Sequence, residues 1–240
     1  MKKWTACLLL LLLLTGCGRK TVAVVQPEPE TNQEALVVET QPPTTLLPTE
    51  ETEATLPEPE DEDFVRILDY IPTATQELFY ATDRNFTGQV IYDFSDAYLR
   101  YGTVKKLMAV SADLAELGLR IRIWDGFRPV AAQFTLWEIC PNPTYVANPN
   151  VGFSSHSRGN TVDLTLTDEN GNEITMPTGF DDFSAKADRD YSDCTPEEAA
   201  NAQILELIME KHGFKGYQGE WWHFSDTDSY EVEEVFLSEG

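Results

Sequence analysis

Residues 154–166 read SSHSRGNTVDLTL, a polar turn with one glycine that leads directly into an alternating segment. Apolar residues occupy every second position of 161–166, which predicts a β-strand with Asp163 on its polar, exposed face. His156 lies in the turn seven residues before Asp163, and a sharp turn can bring the two side chains together. Imidazole and carboxylate are both zinc ligands, although a lone histidine and aspartate are more often surface or hydrogen-bonding residues.

A second polar group lies near the C-terminus, where residues 219–224 read GEWWHF. A carboxylate and a histidine among large aromatic residues are costly to bury without a partner or a metal. A catalytic zinc site needs three protein ligands, an open position for water and a nearby base. The two groups together supply this set, with His156, Asp163 and His223 as ligands of one zinc ion and Glu220 as the base. These ligands would also accept other divalent ions, so the metal used in the cell is left open.

The spacing of Glu220 and His223 conflicts with a regular strand, because residues three apart face opposite sides of a sheet. Both side chains cannot address one metal from such a strand. We therefore expect Glu220 to lie in the turn before the strand or on a β-bulge. The strand itself is predicted near Trp221–Ser225, after the glycine-rich segment Gly213–Gly219.

A third candidate residue follows a predicted strand upstream, where residues 124–129 read WDGFRP. Arg128 is held between the strand end and a proline, so its guanidinium could stabilise a developing oxyanion. The alternative is an ion pair with Asp125 or another carboxylate, since arginine is the usual partner of buried carboxylates. The sequence alone does not choose between these roles.

Helix and strand signals occur together without a regular βαβ rhythm, which favours the α+β class and one folded domain. Gly118 should close the helix before it, and Thr195-Pro196-Glu197-Glu198 is a capping box that opens another. That helix should run to His212, where the helix dipole favours a histidine, and Gly213 should stop it. The predicted helices are 103–117, Val130–Ile139 and about 195–212, and the predicted strands are 119–124, 161–166 and 221–225.

The first 63 residues have a composition that no globular core would have. Residues 1–17 combine a basic start, a short apolar run and small residues before Cys17, a pattern that resembles an export signal with lipid attachment at that cysteine. An uncleaved anchor or an ordinary signal peptide is the alternative. Residues 18–63 are rich in Pro, Glu and Thr, which predicts a disordered, extended tether. The folded domain is predicted at 64–240, outside the cytoplasm and anchored to a bacterial membrane.

Acidic residues dominate the chain, with 41 Asp and Glu against 17 Lys and Arg and a net charge of −24. Such a surface repels nucleic-acid phosphates, which excludes nucleic acid as a partner class. It also repels anionic lipid headgroups, so contact with the membrane is predicted through the lipid anchor only. Cys140 and Cys194 remain after processing, and their spacing does not decide between a disulfide and two free thiols. The oligomeric state is likewise open.

The folded part, from Phe64 to about Tyr230, resembles the D-alanyl-D-alanine dipeptidases of the vancomycin-resistance type (VanX-like), within the zinc D-Ala-D-Ala peptidase superfamily. The Ser-x-His…Asp and Glu-x-x-His pairs are typical of the superfamily, whereas the double tryptophan and the Phe-Asp segment favour the dipeptidase branch. The resemblance implies a small antiparallel sheet flanked by helices, of the hedgehog-like kind. The segments that carry it are 80–82, 85–88, 124–129, 154–166, 179–183 and 220–223.

The resemblance also implies a role for each matching residue of the centre. His156, Asp163 and His223 match the zinc ligands, Glu220 matches the catalytic base, and Arg128 matches the residue that stabilises the tetrahedral intermediate. The implied reaction is hydrolysis of D-alanyl-D-alanine in peptidoglycan metabolism, with one zinc ion per chain as cofactor.

Substrate contacts are implied in the same way. Ser154 and Asp181 match positions that contact the small D-amino-acid peptide, Asp181 by pairing with its free ammonium. Asp182 competes for that last role, since a one-residue slip of the match exchanges the two aspartates.

Two alternatives follow from the location that the sequence predicts. Resistance-type dipeptidases act in the cytoplasm, whereas this chain carries an export signal, so a D,D-carboxypeptidase that trims terminal D-Ala from wall peptides is the close rival. A non-catalytic wall-binding lipoprotein with structural zinc is the second alternative. Structural zinc sites usually have four protein ligands and no idle base, which argues against the second.

Overall fold

The computed structural model describes residues 58–234, which form two β-sheets and four helices. The predicted α+β class is therefore confirmed. The strands are β1 (Phe64–Arg66), β2 (Thr75–Gln76), β3 (Tyr98–Arg100), β4 (Leu119–Asp125), β5 (Thr161–Asp168), β6 (Phe214–Tyr217) and β7 (Glu220–Asp226). The helices are α1 (Ile67–Tyr70), α2 (Tyr101–Glu116), α3 (Val130–Ile139) and α4 (Pro196–Lys211), and 3-10 turns lie at Phe79–Ala81, Ser155–Arg158 and Ala185–Ala187.

A five-stranded sheet in the order β2-β4-β5-β7-β6 forms the framework. Its strand pairs are antiparallel except for β2 and β4, which run parallel, so the expected antiparallel sheet has one parallel edge strand. Strands β1 and β3 form a separate antiparallel pair. Helices α2 and α4 pack against the sheet, and the apolar side chains of central strand β5 are fully buried in the core beneath them.

The helices follow their local sequence signals closely. Helix α2 begins two residues before the predicted 103–117, and Gly118 beyond its end has a φ of 72°. Helix α3 has the predicted bounds. Helix α4 begins with the predicted capping box, in which Thr195 Oγ1 accepts from the Glu198 N–H (3.3 Å) and Glu198 Oε2 accepts from the Thr195 N–H (2.7 Å). His212 lies just past its end, 2.7 Å from an Asp113 carboxylate oxygen.

Strand β5 is buried on both faces. Its residues alternate as predicted, but Asp163 is only 3% exposed and Thr165 only 4%. The prediction that Asp163 lies on an exposed face was therefore wrong. Segments distant in sequence cover this face, and Asp163 lines a cavity together with residues between 143 and 156 and with Asp181. The period of a strand shows which residues share a face and gives no information about what covers it.

The glycine-rich segment 213–219 contains a strand that the sequence did not predict. Strand β6 pairs with β7 as an antiparallel hairpin. Glycine inside a strand weakens the local signal, because it has no side chain to pack. Gly216 has a specific reason to be in this strand, since a Cβ there would overlap the guanidinium of Arg189.

The last residues of the predicted tether contact the domain. Tyr101 donates its N–H to Asp63 O (2.8 Å) and its hydroxyl to a Glu58 carboxylate oxygen (2.7 Å). Gly102 donates its N–H to Asp61 O (3.1 Å). Hydrogen bonds to the start of α2 thus begin before position 64, where the domain was predicted to start.

The predicted export signal at 1–17 and its lipidation site Cys17 lie outside the described residues. Most of the predicted tether does too, as do residues 235–240, and these assignments stay predictions. Among the helices within 58–234, none combines the length and the apolar character that crossing a bilayer requires.

The two cysteines of the domain lie at the ends of helices. Cys140 follows the last residue of α3, and Cys194 lies just before the cap of α4. Both are free thiols in the structure, each partly buried. Of the two alternatives that the sequence left open, the structure has the pair of separate thiols.

Candidate metal centre and substrate cavity

A 3-10 turn at Ser155–Arg158 places His156 just before β5. The Ser154 hydroxyl caps this turn by accepting a hydrogen bond from the His156 N–H (3.3 Å), and Gly159 ends it with a φ of 73°. The His156 side chain is buried, and its Nδ1 lies 2.7 Å from Gly126 O. Because a carbonyl oxygen only accepts, Nδ1 carries the proton, which leaves the lone pair of Nε2 free to bind a cation.

Strand pairing brings the three predicted ligands together. Asp163 on β5 is directly opposite His223 on β7, and directly opposed side chains are the closest neighbours across a sheet. Asp163 Oδ1 lies 3.0 Å from His223 Nδ1, and Asp163 Oδ2 lies 3.3 Å from His156 Nε2. One possible ligand atom from each of the three residues lies within 4.8 Å of the others. The three side chains can therefore share one ion.

The donor atoms at this point fit a zinc ion, which prefers imidazole nitrogen and carboxylate oxygen in such sites. His156 Nε2 and His223 Nδ1 face each other at 3.3 Å. Asp163 Oδ1 is buried and accepts no well-aligned hydrogen bond among the described residues, although His223 Nδ1 lies 3.0 Å away, so its lone pairs can be directed to a cation. Burial by itself would raise the pKa of Asp163, but the two imidazoles hold that pKa below its ordinary value. The carboxylate is thus ionised, as a metal ligand must be.

Glu220 is the first residue of β7 and lies beside an irregularity in the β6–β7 ladder. Phe224 pairs with Gly216, but the next pair is Glu220 with Tyr217, so three residues of β7 are inserted between neighbouring residues of β6. Of the two arrangements expected from the sequence, a turn before the strand or a bulge, the structure has the bulge. It places Glu220 Oε2 3.6 Å from His223 Nδ1, and burial raises the pKa of Glu220. A raised pKa brings a carboxylate closer to the range in which it can accept and return a proton.

Arg128 forms the ion pair that the sequence offered as one alternative, and it also lines the cavity. Its Nη2 and Nε donate to Asp125 Oδ2 (2.7 and 3.2 Å), and its Nη1 donates to Gln133 Oε1 (3.1 Å). Burial opposes the charge of Arg128, but Asp125 together with Tyr92, Tyr80 and Asp163 outweighs this effect, and the pKa of the guanidinium is raised. The ion pair therefore keeps the guanidinium protonated and fixed in orientation at the cavity wall.

The cavity contains Asp181 and not Asp182. Asp181 accepts a hydrogen bond from the Tyr80 hydroxyl (2.7 Å) and adopts a φ of 53°, which is uncommon for a residue other than glycine. Asp182 is exposed and accepts from the Ser184 N–H (3.0 Å). Burial raises the pKa of Asp181 to about 8. A cationic ligand would stabilise the ionised form of this carboxyl group.

These residues surround a cavity of about 310 Å³, a volume at the small end of ligand sites. The Arg128 guanidinium lies over the Tyr80 ring, 5.0 Å from its centroid, and the Tyr80 hydroxyl contacts Asp181. A cation, an aromatic ring and a carboxyl group thus follow one another along one wall. Ser154, 7% exposed, also lines the cavity. The other lining residues are Pro143, Thr144, Tyr145, Ala147, Phe153, Ser155, His156, Asp163, Tyr217, Glu220 and His223.

Sequence reasoning assigned no role to two tyrosines of this cavity. Tyr80 is buried, and its segment was noted only for the resemblance that it carries. Tyr217 is 55% exposed, and its ring lies edge-on to His223 with 5.8 Å between centroids. No local pattern marks either residue, because Tyr80 follows no helix or strand signal and β6, which carries Tyr217, was not predicted.

Comparison with known proteins identifies the family of the chain. Residues 60–238 match the D-Ala-D-Ala dipeptidase family, Peptidase_M15. The chain is 41% identical over 154 residues to the D-alanyl-D-alanine dipeptidase of Escherichia coli. The aligned stretch covers 64% of this chain and 79% of that relative. It is 32% identical over 169 residues to the D-alanyl-D-alanine dipeptidase of Enterococcus faecalis. This aligned stretch covers 62% of this chain and 84% of that relative.

Solved structures also resemble the chain, at lower similarity. VanYB in complex with D-alanine-D-alanine has a TM-score of 0.37 and 14% identity over 57% of this chain and 79% of its own. The LD-carboxypeptidase LdcB has a TM-score of 0.36 and 18% identity, and the match covers 60% of this chain and 65% of the LdcB chain. The family assignment depends on the sequence matches, which span most of the described residues and most of each relative. The chain therefore belongs to the D-Ala-D-Ala dipeptidase family and is a peptidase.

Proposed function

We propose that this chain is a zinc-dependent dipeptidase that hydrolyses D-alanyl-D-alanine in peptidoglycan metabolism. The observation that carries the proposal is the convergence of His156, Asp163 and His223 within 4.8 Å in a small cavity, with Glu220 beside them. Three ligands and a carboxylate outside the ligand group are typical of a catalytic zinc site, whereas a structural site usually has four protein ligands. The substrate is suggested by the names of the relatives.

Each residue of the centre has a distinct part in the proposed reaction. His156, Asp163 and His223 would hold the ion, and zinc in such a site polarises the scissile carbonyl and lowers the pKa of water. Glu220 takes a proton from the attacking water and returns it to the leaving amine, and its raised pKa suits both transfers. Arg128 places a permanent positive charge where negative charge develops on the carbonyl oxygen.

Asp181 supports a substrate with a free amino terminus. Its carboxyl group is buried at the cavity wall, and an ammonium group would offset the cost of its charge. Ser154 contributes a second polar group at the same cavity. A peptide extended at its amino end would present a neutral amide to Asp181 instead of an ammonium, which disfavours longer substrates.

The rival activity is that of a D,D-carboxypeptidase, which the predicted location outside the cytoplasm favours. The zinc-loaded protein should be incubated with D-Ala-D-Ala, with N-acetyl-D-Ala-D-Ala and with a pentapeptide that ends in D-Ala-D-Ala, and released D-Ala quantified. We expect rapid cleavage of the free dipeptide only, and none after the metal is removed by a chelator. Release from the pentapeptide at comparable efficiency would overturn the dipeptidase assignment in favour of the rival.

We further propose that the domain acts outside the cytoplasmic membrane, tethered through Cys17, where it would recycle dipeptide from wall fragments. The support is the leader and the acidic Pro-rich segment that precede the domain in sequence. Fractionation and mass spectrometry of the mature protein test this location. Lipid on Cys17 and release of the Cys17→Ala variant from the membrane fraction are expected, whereas a cytoplasmic, unprocessed chain would contradict the proposal.

A further inference from the structure

Arg189, between the 3-10 turn at Ala185–Ala187 and α4, is a buried arginine that takes no part in the proposed reaction. Its side chain is only 4% exposed, although arginine is rarely buried without a specific partner. It contacts the hairpin of β6 and β7, the same hairpin that carries Glu220 and His223. These contacts link Arg189 to the geometry of the metal centre.

The bulge in this hairpin creates unmet hydrogen-bonding capacity. In a continuous antiparallel ladder, N–H groups of one strand bind the carbonyl oxygens of its neighbour. Here the pairing moves from Phe224–Gly216 directly to Glu220–Tyr217, so residues 221–223 have no opposite residue on β6. Buried carbonyl groups without a donor are costly, and a bulge at this position requires donors from elsewhere.

The Arg189 guanidinium supplies these donors. Its Nη2 donates to both Trp221 O and His223 O at 3.0 Å, and its Nε donates to Tyr217 O at 2.8 Å. The backbone N–H of Arg189 donates to Gln218 O at 3.0 Å, in the turn between the two strands. One residue therefore binds four carbonyl oxygens around the irregular part of the hairpin.

Two further features hold the guanidinium in this position. Nη1 lies 3.2 Å from Glu206 Oε1 on α4, and the guanidinium lies over the Phe224 ring, 4.4 Å from its centroid. Gly216 leaves the space that the guanidinium occupies, since a Cβ at this position would overlap it. The planar group is thus fixed by Glu206 on α4, by the Phe224 ring and by the space that Gly216 leaves in β6.

We propose that Arg189 is a positioning residue that replaces the missing ladder donors at the β7 bulge, and so holds His223 and Glu220 toward the same point of the cavity. The consequence follows from strand geometry, because a regular β7 would turn these two side chains to opposite faces. The expected effect of Arg189 on catalysis rests on the proposed function of the centre. Its effect on metal binding depends only on the position of His223.

The test compares Arg189→Met and Arg189→Lys with the wild type. We expect Arg189→Met to weaken zinc affinity by about 10- to 100-fold, the usual result of removing a group that orients a metal ligand. The absorption spectrum of the Co²⁺-substituted protein should also change, and kcat should fall while KM for D-Ala-D-Ala stays within about threefold. The zinc affinity and kcat of Arg189→Lys should lie between those of the wild type and Arg189→Met, because one ammonium group cannot donate to all the carbonyl oxygens that the guanidinium contacts.

Arg122→Met is the matched control, since Arg122 is also mostly buried and hydrogen-bonded but contacts Glu173 and Gly171 instead of the hairpin. Gly216→Ala provides a second test if Arg189→Met does not fold, because it keeps the arginine and displaces its guanidinium. Arg189 variants that lower the melting temperature but retain zinc affinity, Co²⁺ spectrum and kcat within twofold would overturn the proposal. Absence of dipeptide cleavage by the wild type would refute the proposed function alone, because metal affinity and spectrum would still test Arg189.

Discussion

Replacing Asp181 with asparagine tests the proposed contact with the substrate ammonium. The change removes one charge but keeps an oxygen that can accept the hydrogen bond from the Tyr80 hydroxyl (2.7 Å). Removing one partner of a desolvated ion pair costs about 2–5 kcal/mol, which corresponds to a loss of about 30- to 5,000-fold in kcat/KM for D-Ala-D-Ala. The exposed neighbour provides the control, and Asp182→Asn should leave kcat/KM within about twofold.

The same substitution should change how the stability of the metal-free protein depends on pH. Burial raises the pKa of Asp181 from 3.8 to about 8, so the folded chain holds this proton more tightly than the unfolded chain does. The resulting stabilisation is fully present below pH 3.8 and is lost as the pH rises through about 8. A pKa shift of this size corresponds to a change of about 6 kcal/mol in the free energy of unfolding. Asparagine does not titrate, so Asp181→Asn should gain stability relative to the wild type as the pH rises.

Two measurements check these expectations. Urea unfolding of both metal-free proteins at pH 5, 7 and 9 gives the difference in free energy of unfolding, and kcat/KM for D-Ala-D-Ala and N-acetyl-D-Ala-D-Ala gives the selectivity. We expect a stability difference that shifts toward the variant with rising pH, and a loss of preference for the free dipeptide. A pH-independent stability difference would refute the buried titration of Asp181. Unchanged selectivity would refute its contact with the ammonium.

Three other substitutions test the centre and its frame. Glu220→Gln should retain zinc by metal analysis and lose about 10²- to 10⁴-fold in kcat; near wild-type turnover would exclude Glu220 as the base. Arg128→Lys keeps the charge but loses the fork geometry, so kcat should fall by about 10²-fold or more with little change in KM, and a change in KM alone would contradict the oxyanion role. Gly159→Ala should lower the free energy of unfolding in urea by about 1–3 kcal/mol, because φ is 73° and a Cβ would meet a phenylalanine ring. Gly152→Ala, with open space around it, should change this free energy by less than about 0.5 kcal/mol.

Elements with strong signals at their own ends were predictable from sequence to within two or three residues. Proline before α3, the Thr195–Glu198 capping box of α4 and Gly118 after α2 are local features whose energetics depend little on the rest of the fold. Strand β6 lacked such a signal, because its glycine makes room for an arginine some 27 positions earlier in the chain. Contacts of that kind exist only after folding.

The candidate metal centre likewise combines features that the sequence predicts with features that only the tertiary fold creates. The ligand types and their spacing were readable, since Asp163 alternates with buried residues and His223 stands three residues after a carboxylate. Strand geometry also predicted an irregularity at Glu220, either a turn or a bulge, because no regular strand satisfies that spacing. The depth of Asp163 could not be predicted, nor could the contribution of Arg189, because each depends on segments that only the tertiary fold brings together.

Three acidic residues in one cavity would be redundant if they shared one environment, and their pKa values show that they do not. Two imidazoles lower the pKa of Asp163 despite its burial, which suits a cation ligand, since such a ligand must be ionised. Burial raises the pKa of Glu220, which gains and loses a proton in each turnover of the proposed reaction, and that of Asp181, which would ionise most readily beside a cation. Groups of one chemical type whose pKa values diverge in this way are typical of divided acid–base roles. Strand register places Asp163 directly opposite His223, whereas Glu220 lies beyond the bulge and is not one of the three residues whose ligand atoms converge.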